Sequence, residues 1–443
     1  MDIKKTMATV LMSTAVLTAT AGGYVTNTNQ SVGFLRNPAR DASIGVDGVY
    51  YNPAGVAFMN DGFHLGLNWQ MVRQHRDARA SYGDLFKWNY ANPSQCADGS
   101  RVFKGDVNVP VQPAVSLVYN KSKWSYQLSA GFIGGGGECE FTDGVAAFEA
   151  LVGSSAMTAL GANFGGYAFD TYVKGRSYDI GLSLGVAHKV TEQLGVFAGL
   201  RGIFALNNYK GHLSDIAFRM ADGTVLSGAM PDFTLDCDQT GFGIAPVIGV
   251  DYRVNDKLNV AMKYEFRTHI TTKNDAANSA SFEQLAQSQP AFAGFVDGAE
   301  NNADLPGMLS VGVQYAPIHA LRISAGYHRY FDVDTRQWTK SQLDDTNEFT
   351  FGVEYDVTPR LEVSAGGQKT IYDQTDDNVS DLAFNLSSYS LGAGVAYRLT
   401  ENVKLSAAYF RTFYDDRTKV TPVSSTRYSR DNRVIGIGLE LGL

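Results

Sequence analysis

Apolar and polar residues alternate strictly in runs of about ten along most of the chain from Phe63 onward, and short and long connections join the runs in turn. In Trp124-Ser125-Tyr126-Gln127-Leu128-Ser129-Ala130-Gly131-Phe132, every even position is apolar and every odd one small or polar. A period of two puts successive side chains on opposite faces of a strand, so the two faces meet different surroundings. A soluble sandwich alternates too, but its strands are shorter and nothing sorts its loops by length. A sheet in hydrocarbon must close on itself to satisfy its backbone groups. The pattern therefore predicts an all-β fold, a transmembrane antiparallel β-barrel of about 14 strands.

The strands are expected near residues 63–72, 109–119, 124–133, 178–188, 194–206, 242–252, 258–268, 308–315, 321–331, 349–357, 361–372, 388–397, 403–414 and 433–443. The linkers after the even-numbered strands up to the twelfth are tight: 120–123, 190–193, 254–257, 316–319, 356–359 and 399–402. In outer-membrane barrels short turns face the periplasm, which puts both termini there as well. Tyr119, Tyr252, Tyr315, Tyr355 and Tyr397 stand where descending strands reach the short-turn side, as an interfacial girdle requires. Arg329, Lys369 and Arg411 share parity with the lipid face but fall near the outer strand ends. A cation costs ~2–4 kcal/mol there at mid-membrane and little at the interface, so these three are expected to meet anionic lipid headgroups.

Residues 1–21 read as a removable export signal, with Lys4 and Lys5, a short apolar stretch from Met7, and the small-x-small site Ala19-Thr20-Ala21. No other stretch is long and apolar enough to span as a helix. Within 443 residues no linker or composition shift divides the strand series, which favours one large barrel at 63–443. The 46 glycines and 12% aromatics suit a crowded inner wall and interfacial anchors. Net charge is -8, and -9 once Asp2, Lys4 and Lys5 (together +1) are removed, a sign that disfavours a nucleic-acid partner. Cys96, Cys139 and Cys237 are odd in number and lie in long connections, so at most two can pair with each other. Metal-ligand spacings such as C-x-x-C or H-E-x-x-H are missing, and no cofactor or metal is expected.

Residues 22–62 lack sustained alternation and are rich in Gly, Asn, Asp and Pro, a chemistry that suits a compact plug. Two tripeptides punctuate this segment, Asn37-Pro38-Ala39 and Asn52-Pro53-Ala54. Proline fixes φ and restricts the residue before it, while asparagine bonds local backbone. An exported plug, a closing Tyr50-Tyr51-Asn52-Pro53-Ala54-Gly55 and the strand series together resemble the FadL family of outer-membrane transporters of long-chain fatty acids and other hydrophobic compounds. Asp304-Leu305-Pro306 before strand eight and Gly241-Phe242-Gly243 at strand six fit the same resemblance. It implies an N-terminal hatch in the lumen, with Asn52, Pro53 and Ala54 as the hatch motif.

Gly134, Gly135, Gly136 and Gly137 follow strand three. Four glycines cannot pack a face and weaken ladder pairing, so the strand bends there or a floppy loop begins. The resemblance implies an inward kink in strand three and a lateral opening at these glycines. Without Lys-Ser/Thr after them they do not form a phosphate loop. By parity Phe197, Arg201 and Ile203 face inward on strand five, and Asn259, Lys263, Glu265 and Arg267 on strand seven. Arg201, Lys263 and Arg267 are candidate partners for a ligand carboxylate; equally, they could neutralise lumen acids such as Glu265. The family's ligand-contacting cation on strand five has no counterpart here, where Leu206, Asn207 and Asn208 stand. Phe34, Leu35, Tyr50, Tyr51, Phe58 and Met59 of the hatch could line a pocket or only pack the plug. Helix-compatible stretches at 145–160 and 276–296 lie in long loops, and Pro290 interrupts the second; the resemblance implies an apolar landing groove in such loops, which Phe282, Leu285, Phe292 and Phe295 could supply, or these could form only the loop's own small core.

The expected function is passive outer-membrane transport of hydrophobic small molecules, long-chain fatty acids foremost, by lumen binding, hatch movement and lateral release at strand three. The expected partners are that ligand and outer-membrane lipid, with the protein a monomer and not an enzyme. Two other classes compete: a structural or adhesive barrel with a permanent plug, and an outer-membrane lipase. The lipase would need a Ser/His/Asp constellation, yet there are seven histidines and no G-x-S-x-G.

Overall fold

The computed structural model describes residues 28–92 and 99–443. The proposed export signal, the first hatch residues and Cys96 lie outside the described residues. Fourteen strands cross the wall in sequence order. They are β1 (Gly62–Ser81), β2 (Ser100–Lys121), β3 (Trp124–Phe141), β4 (Phe164–Lys189), β5 (Leu194–Met220), β6 (Phe233–Asn255) and β7 (Leu258–Glu265, resuming as Thr271–Ala276). Then come β8 (Glu300–Asn302 and Gly307–Ile318), β9 (Leu321–Phe331), β10 (Thr346–Asp356), β11 (Leu361–Ile371), β12 (Ser388–Thr400), β13 (Val403–Tyr414) and β14 (Ser425–Gly442). Each pairs antiparallel with its neighbours, and β1 pairs with both β2 and β14, so the sheet closes. Closure leaves no edge strand to satisfy in lipid.

The alternation that predicted the strands is the alternation of burial. Outward Leu184, Leu200, Phe351 and Leu391 are 54–57% exposed, while their inward neighbours Ser183, Arg201, Thr350 and Ser390 face the lumen and are mostly buried. A band of exposed large hydrophobics is what hydrocarbon, not water, would cover. Tyr252, Tyr315, Tyr355 and Tyr397 are exposed on that wall beside the short turns, and Tyr119 stacks with Phe63 and with Tyr126. Arg329, Lys369 and Arg411 also stand on the outer face, each beside an aspartate: Asp345 at 3.0 Å, Asp415 at 3.4 Å and Asp431 at 3.0 Å.

Two departures from the sequence reading have physical causes. On the long-loop side the strands run well past the alternating core, so β4 has 26 residues and β5 has 27. Above the membrane neither face meets lipid, so the ladder continues without strict polarity. β7 breaks after Glu265, and parity flips across the break: Glu265 is buried, Phe266 exposed, and Thr268 buried again. Arg267, expected in the lumen, falls on this break, half-exposed, with its guanidinium 3.0 Å from the exposed His269 ring.

Two longer helices lie in the outer loops, α1 (Ala146–Leu160) and α2 (Ala280–Ser288), and a 3-10 turn, Pro290–Phe295, follows the second. Ser279 caps α2 by accepting from the Phe282 amide, and Pro290 stops any continuation. No described helix is long and apolar enough to cross a membrane.

Candidate functional site

Residues 28–61 fill the lumen. A short helix, Val32–Arg36, starts at Ser31, whose hydroxyl accepts from the Phe34 amide at 3.0 Å. Leu35 is completely buried, and the inner wall is cut back to admit it: a Cβ at Gly392 of β12 would collide with the Leu35 carbonyl oxygen. At Gly352 of β10 a Cβ would likewise strike the Asn37 side chain. Phe34, Tyr50 and Tyr51 pack with Ile203, Ile133, Phe410 and Val434 in one apolar cluster joining plug to wall. Phe34 stacks on Tyr51 at 5.9 Å.

Ion pairs and amide bonds fasten the rest. Arg40 donates to Asp47 at 3.0 Å and to Glu354 of β10 at 2.7 Å, and Arg36 to Glu362 of β11 at 2.5 Å. Burial alone would push the Asp47 carboxyl up, but the Arg40 charge and hydrogen bond hold it below the usual carboxylate range. His328 of β9 sits between Asp41 of the plug (2.8 Å) and Glu348 of β10 (2.6 Å).

The second Asn-Pro-Ala tripeptide is stitched to three strands, and a fourth braces the contact. Asn52 Nδ2 donates to Asp251 of β6 at 2.6 Å while its Oδ1 accepts from the Gly55 amide at 3.1 Å. The Pro53 carbonyl accepts from Gln127 of β3 at 2.7 Å. Asn259 of β7 donates to Asp251 and to the Ala42 carbonyl, both at 2.8 Å. Ala54 is buried against the backbone of Gly195 in β5, in a cluster with Phe197 and Val247. The first tripeptide makes a local turn, Ala39 N to Asn37 Oδ1 at 3.0 Å.

The other ligand candidates from the sequence are tied into this plug seat. Arg201 pairs with Glu265 at 2.5 Å and lies over the Tyr50 ring. Lys263 donates to the Tyr50 carbonyl at 2.7 Å and covers the same ring. Phe58 is half-buried beneath Lys189 and Arg253. Phe34 and the four glycines instead border a luminal cavity of about 230 Å³ on the outer side of the plug. Its wall mixes apolar Phe34, Phe132 and Phe410 with polar Gln74, Gln368 and Asn432.

The glycine run interrupts the ladder. β2 and β3 pair from Lys121↔Trp124 to Ala114↔Gly131, then part, and pair again only at Val107↔Cys139. On the other side the β3–β4 register slips at Phe132/Gly134 and again at Gly134/Gly137. Gly135 has φ +87° and Gly137 φ +76°, values an L side chain resists. Pro110 and Pro113 of β2 lie in the stretch that is unpaired with β3, where a missing amide hydrogen costs no bond to that strand. Further out, a second, smaller cavity of about 60 Å³ is lined mainly by apolar side chains, including Phe148 and Leu151 of α1 and Phe282 and Leu285 of α2. Cys139 and Cys237 are both free thiols.

The family of outer-membrane transport proteins described as OMPP1/FadL/TodX matches residues 12–436. The chain belongs to that family. Its wall is thus an outer-membrane β-barrel, and the family's proteins carry hydrophobic compounds across it as channels. A Pseudomonas aeruginosa FadL homologue has a similar fold, with a TM-score of 0.66 at 13% identity over 95% of this chain and 99% of that one. The P. putida toluene transporter TodX gives 0.60 at 14% over 90% and 94%, and the Ralstonia pickettii toluene transporter TbuX 0.54 at 16% over 93% and 98%. No curated protein matches the sequence.

The sequence reading passed over two residues of interest. Arg76 of β1 and Arg430 of β14 face each other in register, Arg76 bordering the smaller cavity and Arg430 the luminal one. The signal was inward parity continued beyond the strand ends drawn at 72 and 433.

Proposed function

We propose that this barrel admits hydrophobic small molecules, long-chain fatty acids foremost, without energy input and releases them sideways into the bilayer. Ligand first enters the apolar cavity under α1 and α2, then the luminal cavity, then leaves between β2 and β3 at Gly134, Gly135, Gly136 and Gly137. The short turns and both termini face the periplasm, and the protein works as a monomer surrounded by outer-membrane lipid. The observation that carries this reading is the unpaired stretch of wall beside a cavity the same glycines border. Lateral exit also fits a plug held by many buried bonds, since the ligand need not displace residues 48–58 to escape. A permanent plug in a purely structural barrel would give no reason for the breach.

A cross-link across the opening tests the route. A Cβ on Gly137 would stand 2.7 Å from Val109 Cγ2, close enough for the two Cβ atoms to reach disulfide range. In proteoliposomes, Val109→Cys with Gly137→Cys, in a Cys139→Ser background, should slow uptake of a fluorescent fatty acid at least about tenfold when oxidised. Reduction should restore it. Uptake unchanged by a bond verified by mass spectrometry would rule out the lateral route.

A further inference from the structure

Most buried cations of the lumen have an acid beside them; buried Arg76 and half-buried Arg430 do not. Among the described residues neither guanidinium has a carboxylate within ion-pair distance. Arg76 is 4% exposed, donates through Nε to Gln74 Oε1 at 2.6 Å and lies 5.8 Å from the Phe384 ring centroid. Arg430 lies 4.7 Å from the Tyr414 ring centroid, and its Nε is buried with no hydrogen-bond partner. The two are direct partners across the β1–β14 ladder. Like charges placed opposite each other on a sheet destabilise it, and a buried cation without a counter-ion costs more. The arrangement makes sense if an anion completes it.

Position tells which kind of anion. Arg76 borders the outer cavity, among Phe141, Phe148 and Leu382, whereas Arg430 borders the luminal one. A group held between them has apolar side chains on one side and the passage to the glycine breach on the other. Inorganic anions have no use for the first surface. We infer that Arg76 and Arg430 form a head-group clamp for anionic amphiphiles, taking the carboxylate while the first carbons of the alkyl tail enter the outer apolar cavity. Paired guanidinium groups suit a carboxylate because each offers parallel N–H donors to its two oxygens. The clamp selects for long-chain carboxylates over neutral molecules of equal length, and it rests on the transport reading above.

The test compares oleate with oleyl alcohol, by binding to the purified protein in non-ionic detergent and by uptake into proteoliposomes. The wild type should prefer oleate, and Arg76→Gln and Arg430→Gln should each weaken oleate binding about ten- to a hundredfold while leaving the alcohol unchanged. Arg430→Lys should keep part of the preference. Because each Gln variant removes one of two repelling charges, its thermal unfolding should not fall, which separates lost recognition from lost fold. Equal handling of both lipids by the wild type, or a preference that survives both Gln variants, overturns the clamp and leaves transport standing. If neither lipid is taken up at all, the transport reading fails and the clamp with it.

Discussion

The two ends of the lumen are built on opposite principles. Towards the short turns, buried charges and amides mostly meet a partner: Arg40 with Asp47 and Glu354, Arg322 with Glu354, Asp356 and Glu362, Asn52 and Asn259 on Asp251. Towards the loops Arg101 still pairs with Glu149, but two arginines face each other without an acid, the ladder parts, and 230 Å³ stays open. A seat that must not leak is stabilised by pairing its charges, since one unpaired buried ion costs several kcal/mol. On the proposed transport reading, a passage leaves such groups unsatisfied until the ligand arrives. On the same division, Arg201 and Lys263 already have protein partners, Glu265 and the Tyr50 carbonyl. They sit in the seat, and the plug already occupies them.

Breaking the seat should have the largest effects. Arg40→Met leaves Asp47 buried without its cation and should cost about 3–5 kcal/mol of plug docking, read as lost hydrogen-exchange protection across residues 28–61. Unchanged protection would mean that the Arg40 pairs do not hold the plug. Acid attacks the same pair from the other side. Asp47 titrates lower in the folded protein than in the unfolded chain, so its stabilisation is complete above about pH 4 and drains away as pH falls through the folded value. Plug amides should therefore stay protected at pH 5 and open only in stronger acid; opening that begins near pH 6 would assign the hold to other groups. Asn52→Leu comes next. It strands Asp251 Oδ2 with one donor in place of two and frees the Gly55 amide, so a loss of about 1–3 kcal/mol is expected, confined to exchange at 48–58.

What the sequence could disclose follows the same division. Fourteen strands, their short turns and the tyrosine girdle were legible because lipid on one side and lumen on the other impose a strict period of two. Residues 28–61, where that period breaks, pack against the inner faces of the strands, and Phe197, Arg201, Ile203 and Lys263 are buried there as their parity predicts. Arg267 was misplaced because a strand break flips parity, and nothing in Glu265-Phe266-Arg267-Thr268 signals the break locally. Arg76 and Arg430 went unseen for a related reason: they lie where the strands have left the membrane and both faces tolerate polar residues, so the alternation fades before the strands end. That two distant arginines meet is a matter of barrel closure, and β1 pairs with β14 only in three dimensions.

The outer wall supplies the small effect that sharpens the comparison. Lys369 and Asp415 form an ion pair at 3.4 Å, as the seat's residues do, but their side chains are 43% and 60% exposed. Exposed pairs are worth about 0–1 kcal/mol because solvent already stabilises each partner and both side chains lose freedom when held together. Lys369→Gln should therefore shift thermal unfolding by no more than that, with plug exchange unaffected, against the several kcal/mol expected for Arg40→Met. If the two variants cost the same, burial is not what gives the plug's ion pairs their strength, and the division between a sealed seat and an open passage loses its physical basis. If Lys369→Gln is silent in detergent yet costly in membranes rich in anionic lipid, the side chain is serving the bilayer headgroups that its place on the outer face predicts.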